Sequence, residues 1–325
     1  MNSTHSPEVP AALPLDHDLS QPGTDNSPYT PATSAPVRER ILAYYAVATA
    51  DYRVWSRNYN MHFGYWRWGL NPFDREAMLQ ELNRQATARL NLPADRLARV
   101  ADLGGGTGAT ARVIAASCPQ ASIDVVTLVP TQVELGNALK AAAPGGERIT
   151  MHCADYTATG LPGGSYDAVC MIESACHAEG PTKAMLMREA HRLLKPGGTL
   201  LMIDAMLLRE TPQGGLLNRI GLHFYRRWCE CWAVPEMARI DLLPQTLEPL
   251  GFTDYRAEDW SWRMVPSVAH VPLLAFYFMV VEVIKARGLL PVWRWRHIVA
   301  SLLTPLLGLR RRTVVYAAVS ARKRA

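Results

Sequence analysis

From residue 99 to residue 207 the chain alternates short apolar runs with longer stretches whose apolar positions recur every three to four residues. The runs are Val100–Leu103, Ile123–Leu128, Ile149–Tyr156, Ser165–Glu173 and Leu200–Ile203. Runs of that length, punctuated by glycine or proline, suit buried strands, and the periodic stretches between them suit helices. Alternation of the two predicts an α/β fold, a parallel sheet wound with right-handed crossovers. Ahead of it, residues 73–92 read as an amphipathic helix (Met78, Leu79, Leu82, Ala86, Leu90). A further helical pattern starts at Arg38-Glu39-Arg40-Ile41. It carries Tyr44 and Tyr45 and runs into Tyr52, Trp55, Tyr59, His62, Phe63, Tyr65, Trp66 and Trp68. Past the core, Pro235–Leu250 reads as a helix, Gly251–Arg256 as its cap and a sixth strand, and Arg312–Ser320 as a seventh. Between those last strands lies an apolar insertion, residues 271–312, whose longest uncharged run falls short of the roughly 20 residues needed to cross a bilayer. Four regions follow: a disordered tail (1–36), an aromatic helical lid (37–98), a core (99–207), and helical cap insertions with the last strands (208–325).

Composition narrows the class. Hydrophobic residues make up 49% of the 325, ample for a large core, and the net charge of +5 is too small to point to nucleic acid. The tail is rich in Pro, Ser, Thr and Asp and cannot bury enough surface to order itself. It lacks the basic start and apolar stretch of a secretory signal. Cys118, Cys153, Cys170, Cys176, Cys229 and Cys231 lie mostly in apolar segments without metal-ligand spacing. They read as reduced thiols of a cytoplasmic protein with no metal.

The chemistry gathers around Asp102-Leu103-Gly104-Gly105-Gly106-Thr107-Gly108. Glycines there allow a tight turn and a close backbone approach to a ligand, ahead of a helix N-terminus with free N–H groups. The order is D-x-G-x-G-x-G, not the dinucleotide G-x-G-x-x-G. A carboxylate at Asp102 would repel a phosphate and suits a cation. This stretch resembles the first motif of the class I methyltransferases, where the cation is the α-amino group of S-adenosylmethionine. Leu193-Leu194-Lys195-Pro196-Gly197-Gly198 sits where that family has its last core motif. Tyr44-Tyr45, Trp55 and Asn60-Met61-His62-Phe63-Gly64-Tyr65-Trp66 look like the N-terminal signature of one branch. That branch holds γ-tocopherol methyltransferases, rebeccamycin-type sugar O-methyltransferases and related terpenoid and natural-product enzymes.

The resemblance implies a Rossmann-like seven-stranded sheet with an N-terminal helical lid and a C-terminal helical cap. It implies cofactor contacts from Asp102, Gly104, Gly106, Thr107 and Gly108, and from Asp155 and Tyr156, where the aspartate takes the adenine amino group. Thr127, Leu128 and Gln132 correspond to a T-L-S-x-x-Q variant that serves the ribose without an acidic residue; here Val129 replaces the serine. Catalysis belongs at Glu173-Ser174-Ala175-Cys176-His177 and Asp204, beyond the carboxyl ends of the fourth and fifth strands. His177 is the candidate base, with Asp204 to orient it and Tyr44 and Tyr45 beside it. Cys176 stands where relatives often carry a second histidine or an acid, so the base stays open. Glu173, also a cofactor contact, is the alternative, facing a developing cation or taking a proton from carbon.

His62, Tyr65, His223, Tyr225, Arg226 and Arg227 are candidate substrate residues. The arginines, or Arg294 and Arg296, suit a diphosphate. Together with the aromatics and the apolar insertion they point to a lipophilic acceptor, first an isoprenoid diphosphate methylated at carbon. O- or N-methylation with His177 as base is the alternative. A non-catalytic scaffold and a nicotinamide oxidoreductase are readings from other classes. The insertion reads either as a pocket cap or as a membrane-surface contact, and homo-oligomerisation stays open.

Overall fold

In the computed structural model all five apolar runs of the core are strands of one sheet. The structure describes residues 33–210, 215–285, 287, 295, 298–299, 301–305 and 313–325. In chain order the elements are α1 (Ala35–Trp55), α2 (Arg75–Arg89), β1 (Ala98–Leu103), α3 (Ala109–Ser117), β2 (Ala121–Thr127), α4 (Pro130–Ala141), β3 (Ile149–Cys153), β4 (Tyr166–Ile172), α5 (Ala184–Leu193) and β5 (Leu194–Leu207). There follow α6 (Leu216–Cys231), β6 (Ala238–Arg239), α7 (Leu243–Leu247), β7 (Phe252–Asp259), α8 (Ser261–Val268), α9 (His270–Lys285) and β8 (Val314–Lys323).

The strand order is β3-β2-β1-β4-β5-β8-β7, with the two-residue β6 pairing β5 beside this path. β1 to β5 are parallel, and β8 runs antiparallel between β5 and β7. The winding reverses between β1 and β4, so their carboxyl ends, Leu103 and Ile172, open a crevice at the switch point. Every residue of β4 is buried, as a central parallel strand covered on both faces must be. One face of the sheet packs against α5 and α7 through Leu186, Met187, Leu193 and Leu243. The other packs against α2 and α3 through Leu82, Ala86, Leu90 and Ile114, joined by Trp260 and Met264. Asp74 caps α2 by accepting the Ala77 N–H at 2.9 Å.

Several local expectations are corrected. Pro235–Leu250 is not one helix: the short strand β6 and the five-residue α7 occupy it. Here Ala238 and Arg239 extend the sheet beside Met206 and Leu207, a tertiary partnership that outweighs local helix propensity. Lys195-Pro196-Gly197-Gly198, ahead of the apolar run Leu200–Ile203, already belongs to a 14-residue β5, with a bulge opposite Tyr166 and Ala168. Of the tail, residues 1–32 lie outside the described residues, and α1 already begins at Ala35 with Pro36 in its first turn.

Candidate functional site

Two cavities open at the switch point, one of about 70 Å³ over the glycine turn and one of about 190 Å³ under α1 and α9. Tyr45, Met61, His62, Glu173 and His177 line both and form the wall between them.

The smaller cavity is built from the ends of β1, β2 and β4 and the exit of β3. Gly104 has φ +75°, and a Cβ there would stand 2.9 Å from Ser174 Oγ and closer still to Ser174 Cβ. At Gly105 a Cβ would press into the Asp102 carboxyl group and to within 2.8 Å of Val125. Only glycine fits this cradle. Gly104→Ala is therefore expected to cost about 2–4 kcal/mol of stability, from backbone strain plus overpacking. Thermal melts of the two proteins check it: an unchanged midpoint would mean that the turn yields freely.

Asp102 is buried, and among the described residues its Oδ2 has no hydrogen-bond partner, while Oδ1 accepts from the Cys170 thiol at 3.7 Å. Burial pushes its carboxyl group up to about 7. Asp155 repeats the pattern. Its Oδ1 accepts the Thr157 N–H at 2.8 Å and the Thr157 hydroxyl at 2.6 Å, whereas the buried Oδ2 has no partner among the described residues. Two buried carboxylate oxygens left without donors in one small cavity are costly unless a ligand supplies the donors. An ammonium against Asp102 and an amino group against Asp155 are the donors that S-adenosylmethionine carries, so these residues fit it. Gln132 is held with its Oε1 accepting from Thr127 Oγ1 at 2.5 Å and its Nε2 donating to Thr49 Oγ1 of α1 at 3.4 Å. Thr127, Leu128, Val129, Gly106 and Tyr156 also line this cavity. Thr107 and Gly108 do not: Thr107 donates to the Tyr59 carbonyl at 3.3 Å, and Gly108, at φ +74°, precedes α3 as its N-cap.

The larger cavity is aromatic and apolar. Tyr44, Tyr52 and Trp55 of α1, Trp228 and Trp232 near the end of α6, and Phe278 of α9 face it. Tyr44 stacks edge-on against Tyr45, with ring centroids 4.8 Å apart, and reaches Trp232 at 6.1 Å. Its charged lining among the described residues is acidic (Asp51, Glu173 and Asp204), and no Lys or Arg lines either cavity.

Glu173 sits at the exit of β4 with φ +47°. Its Oε1 accepts the Phe63 N–H of the lid and the Tyr316 hydroxyl of β8, both at 2.6 Å. Burial raises its carboxyl group to about 8; those two hydrogen bonds pull the other way, and Asp204 adds to the rise. His177 lies in a short 3₁₀ turn after β4. Its Nδ1 lies 3.2 Å from the Ala233 carbonyl and its Nε2 lies 3.0 Å from the Tyr45 hydroxyl. A carbonyl accepts, so Nδ1 carries the proton and Tyr45 donates to Nε2. Burial lowers His177 to about 4, leaving a neutral ring.

Asp204 does not orient that ring. Its two oxygens accept the N–H groups of Cys176 (2.9 Å) and Ala205 (2.8 Å), and burial lifts it to about 6. The group that orients His177, missed in the sequence, is the Ala233 carbonyl, in a residue with φ +54°. Lys183 was missed too. It is fully buried, and its Nζ donates to the carbonyls of Ala178 (2.7 Å) and Glu236 (2.8 Å), clamping the His177 turn to the segment that carries Ala233.

Of the substrate candidates, His62 lines both cavities, bridging Asn83 (3.0 Å) and the Phe63 carbonyl (2.8 Å). Tyr65 packs on Trp260 away from them, and Tyr225 accepts the Met237 N–H at 2.9 Å. His223, Arg226 and Arg227 are exposed outside both cavities, with Arg227 paired to Glu230 at 3.1 Å. The polar face of α6 points to solvent because Trp228 and Cys229 supply its buried face, with Trp232 packed alongside just past its end. Arg294 and Arg296 lie outside the described residues.

Known proteins bear on this geometry. A family model described as "Methyltransferase domain" matches residues 100–198. The probable chloroplastic tocopherol O-methyltransferase of Oryza sativa subsp. japonica is 25% identical over 229 residues, 69% of this chain and 60% of that protein. The 27-O-demethylrifamycin SV methyltransferase of Amycolatopsis mediterranei is 31% identical over 173 residues, 53% of this chain and 59% of that protein. The chain thus spans about three-fifths of the length of these relatives. Among solved structures, the geranyl diphosphate C-methyltransferase of Streptomyces coelicolor A3(2) has a TM-score of 0.62 at 15% identity, covering 90% of this chain and 100% of that one. That likeness is one of fold. With the glycine turn, the strand order and the two unpartnered carboxylates, these matches give residues 100–198 as a methyltransferase domain, similar to those of the class I, S-adenosylmethionine-dependent enzymes.

Proposed function

We propose that this protein transfers a methyl group from S-adenosylmethionine to an uncharged lipophilic small molecule, at carbon, in an isoprenoid or similar natural-product precursor. The observation that carries the reading is the shared wall: a polar cavity with two donor-seeking carboxylates meets an aromatic cavity across Glu173, His177 and Tyr45. S-adenosylmethionine, when bound, supplies an electrophilic methyl group on a sulfonium. Asp102 holds its ammonium, Asp155 its adenine amino group, and Thr127 and Gln132 serve the ribose. The aromatic rings position an alkene carbon of the acceptor at the wall and face the positive charge left on its neighbour once the C–S bond breaks and the methyl group bonds to that first carbon. Glu173 then takes the proton that leaves that carbon, because its carboxyl group, near 8, titrates close to neutrality.

A diphosphate on the acceptor finds no cation among the described residues of the cavity, which is why the acceptor is read as uncharged. A second reading, O-methylation, is favoured by the Tyr45–His177 hydrogen bond, an oriented neutral imidazole at the same wall.

The test is transfer of labelled methyl from S-adenosylmethionine to farnesol-type isoprenoids, prenyl diphosphates, and phenolic and sugar acceptors, with products identified by mass and bond connectivity. Label on carbon of an uncharged isoprenoid is the expected result. Label on oxygen alone makes His177 the base, and label on a prenyl diphosphate alone removes the argument from charge.

A further inference from the structure

α8 and α9 together form a 24-residue apolar helix, Ser261–Ile284, long and apolar enough to cross a membrane, although only 17% of its most apolar window is buried. This helix begins ten residues ahead of the insertion read from the sequence and takes in α8 as well. The protein nevertheless pins this helix to its own surface. Ser267 Oγ accepts the Gly64 N–H at 2.7 Å, the Arg263 carbonyl accepts the Trp66 N–H at 2.8 Å, and His270 Nε2 donates to the Pro72 carbonyl at 2.9 Å. Met264 and Ser267 are buried against the domain. These ties hold the α8 end of the helix along the domain surface.

α9 is apolar on opposite faces. Val271, Leu274, Ala275 and Phe278 line the acceptor cavity, whereas Leu273, Phe276, Tyr277 and Ile284 are 58–71% exposed. The outer stripe continues at the α8 end, where Trp262, Phe73 and Trp68 are exposed on elements joined by the hydrogen bonds above. A soluble helix keeps its outward face polar. In sequence, the C-terminal flank is basic: after Glu282 the chain contains no Asp or Glu, and Lys285, Arg287, Arg294, Arg296, Arg310, Arg311 and Arg312 follow before β8, whereas Asp74, Glu258 and Asp259 stand near the α8 end. An exposed apolar and aromatic face, followed in sequence by a stretch rich in Lys and Arg and free of acids, with Arg287 exposed just past the helix, matches the acyl–headgroup boundary of an anionic bilayer.

We propose that the outer face of α8–α9, with Trp68 and Phe73, docks on the surface of an anionic lipid bilayer and sets the acceptor cavity, one helix thickness away, against the phase in which a lipophilic acceptor dissolves. The delivery part rests on the acceptor reading above; the docking part does not.

The experiment is sedimentation of the full chain with vesicles of phosphatidylcholine alone and of phosphatidylcholine mixed equally with phosphatidylglycerol, over a salt series. The expected result is binding to the mixed vesicles that weakens with salt. It should fall by about tenfold or more in the triple variant Leu273→Ser/Phe276→Ser/Ile284→Ser, whose positions line neither cavity. Retention of the melting shift given by S-adenosylmethionine certifies that this variant is folded. Arg287→Glu, which leaves the apolar face intact, should lower binding to mixed vesicles only. Equal sedimentation of wild type and triple variant overturns the proposal. So does a wild-type dimer in light scattering that dissociates in the triple variant without lipid binding, since the face then belongs to a second copy. No methyl acceptor is present in the assay, so its failure is separate from failure of the transfer reading.

Discussion

Asp102→Ala is expected to weaken S-adenosylmethionine binding by about 10- to 100-fold, the value of a buried charge-assisted hydrogen bond worth roughly 1.5–3 kcal/mol. The basis is the unpartnered Oδ2 inside the small cavity. A pH signature accompanies the loss. The buried carboxyl group holds its proton up to about 7, and an ammonium binds only the ionised form. Affinity should therefore rise with pH by up to about tenfold per unit below 7 and level off above it. The alanine variant should show a flat profile over that range. Stability of the ligand-free protein moves the other way. Because the folded-state value exceeds that of the unfolded chain, the folded protein binds more protons between about 4 and 7, and its stability falls as pH rises through that window. Calorimetric titration from pH 5.5 to 8.5 reads the affinity, and a wild-type profile without slope would remove Asp102 from the site.

The second large effect belongs to Glu173. Glu173→Gln keeps an oxygen able to accept from Phe63 N–H and Tyr316 while removing the base, so the lid contact survives. Methyl transfer to carbon should fall by about 10²–10⁴-fold with little change in cofactor affinity. His177→Asn should cost less than about tenfold in that reaction and 10²–10⁴-fold if the acceptor is a hydroxyl. The pH profile separates the two bases without mutation. A rate carried by ionised Glu173 climbs toward a limb near 8, displaced downward at saturating cofactor because a nearby sulfonium favours the carboxylate. A rate carried by neutral His177 is already complete above about 5, because burial places that ring near 4. A flat profile from 6 to 9, with a collapsed rate in His177→Asn, would transfer the role to His177.

What the sequence determined by itself was local. The apolar runs and glycine turn set β1 to β4, because strand period, turn chemistry and the bulk of a Cβ act within a few residues. Asp102 was legible for the same reason: its place relative to the turn decides what it faces. The convergence of the site was not. His177 takes its orientation from the carbonyl of Ala233, 56 residues away, and not from Asp204, which spends both oxygens on N–H groups at Cys176 and Ala205. No side-chain pattern encodes a carbonyl, since every residue has one. Arg226 and Arg227 looked like substrate ligands from composition, yet the packing of Trp228 and Cys229 turns that side of α6 outward. The insertion was legible as apolar, but the three hydrogen bonds to Gly64, Trp66 and Pro72 that tie the helix leading into it to the lid were not. Periodicity tells which faces of an element are apolar; only the tertiary structure decides which partner, and in what orientation, each face meets.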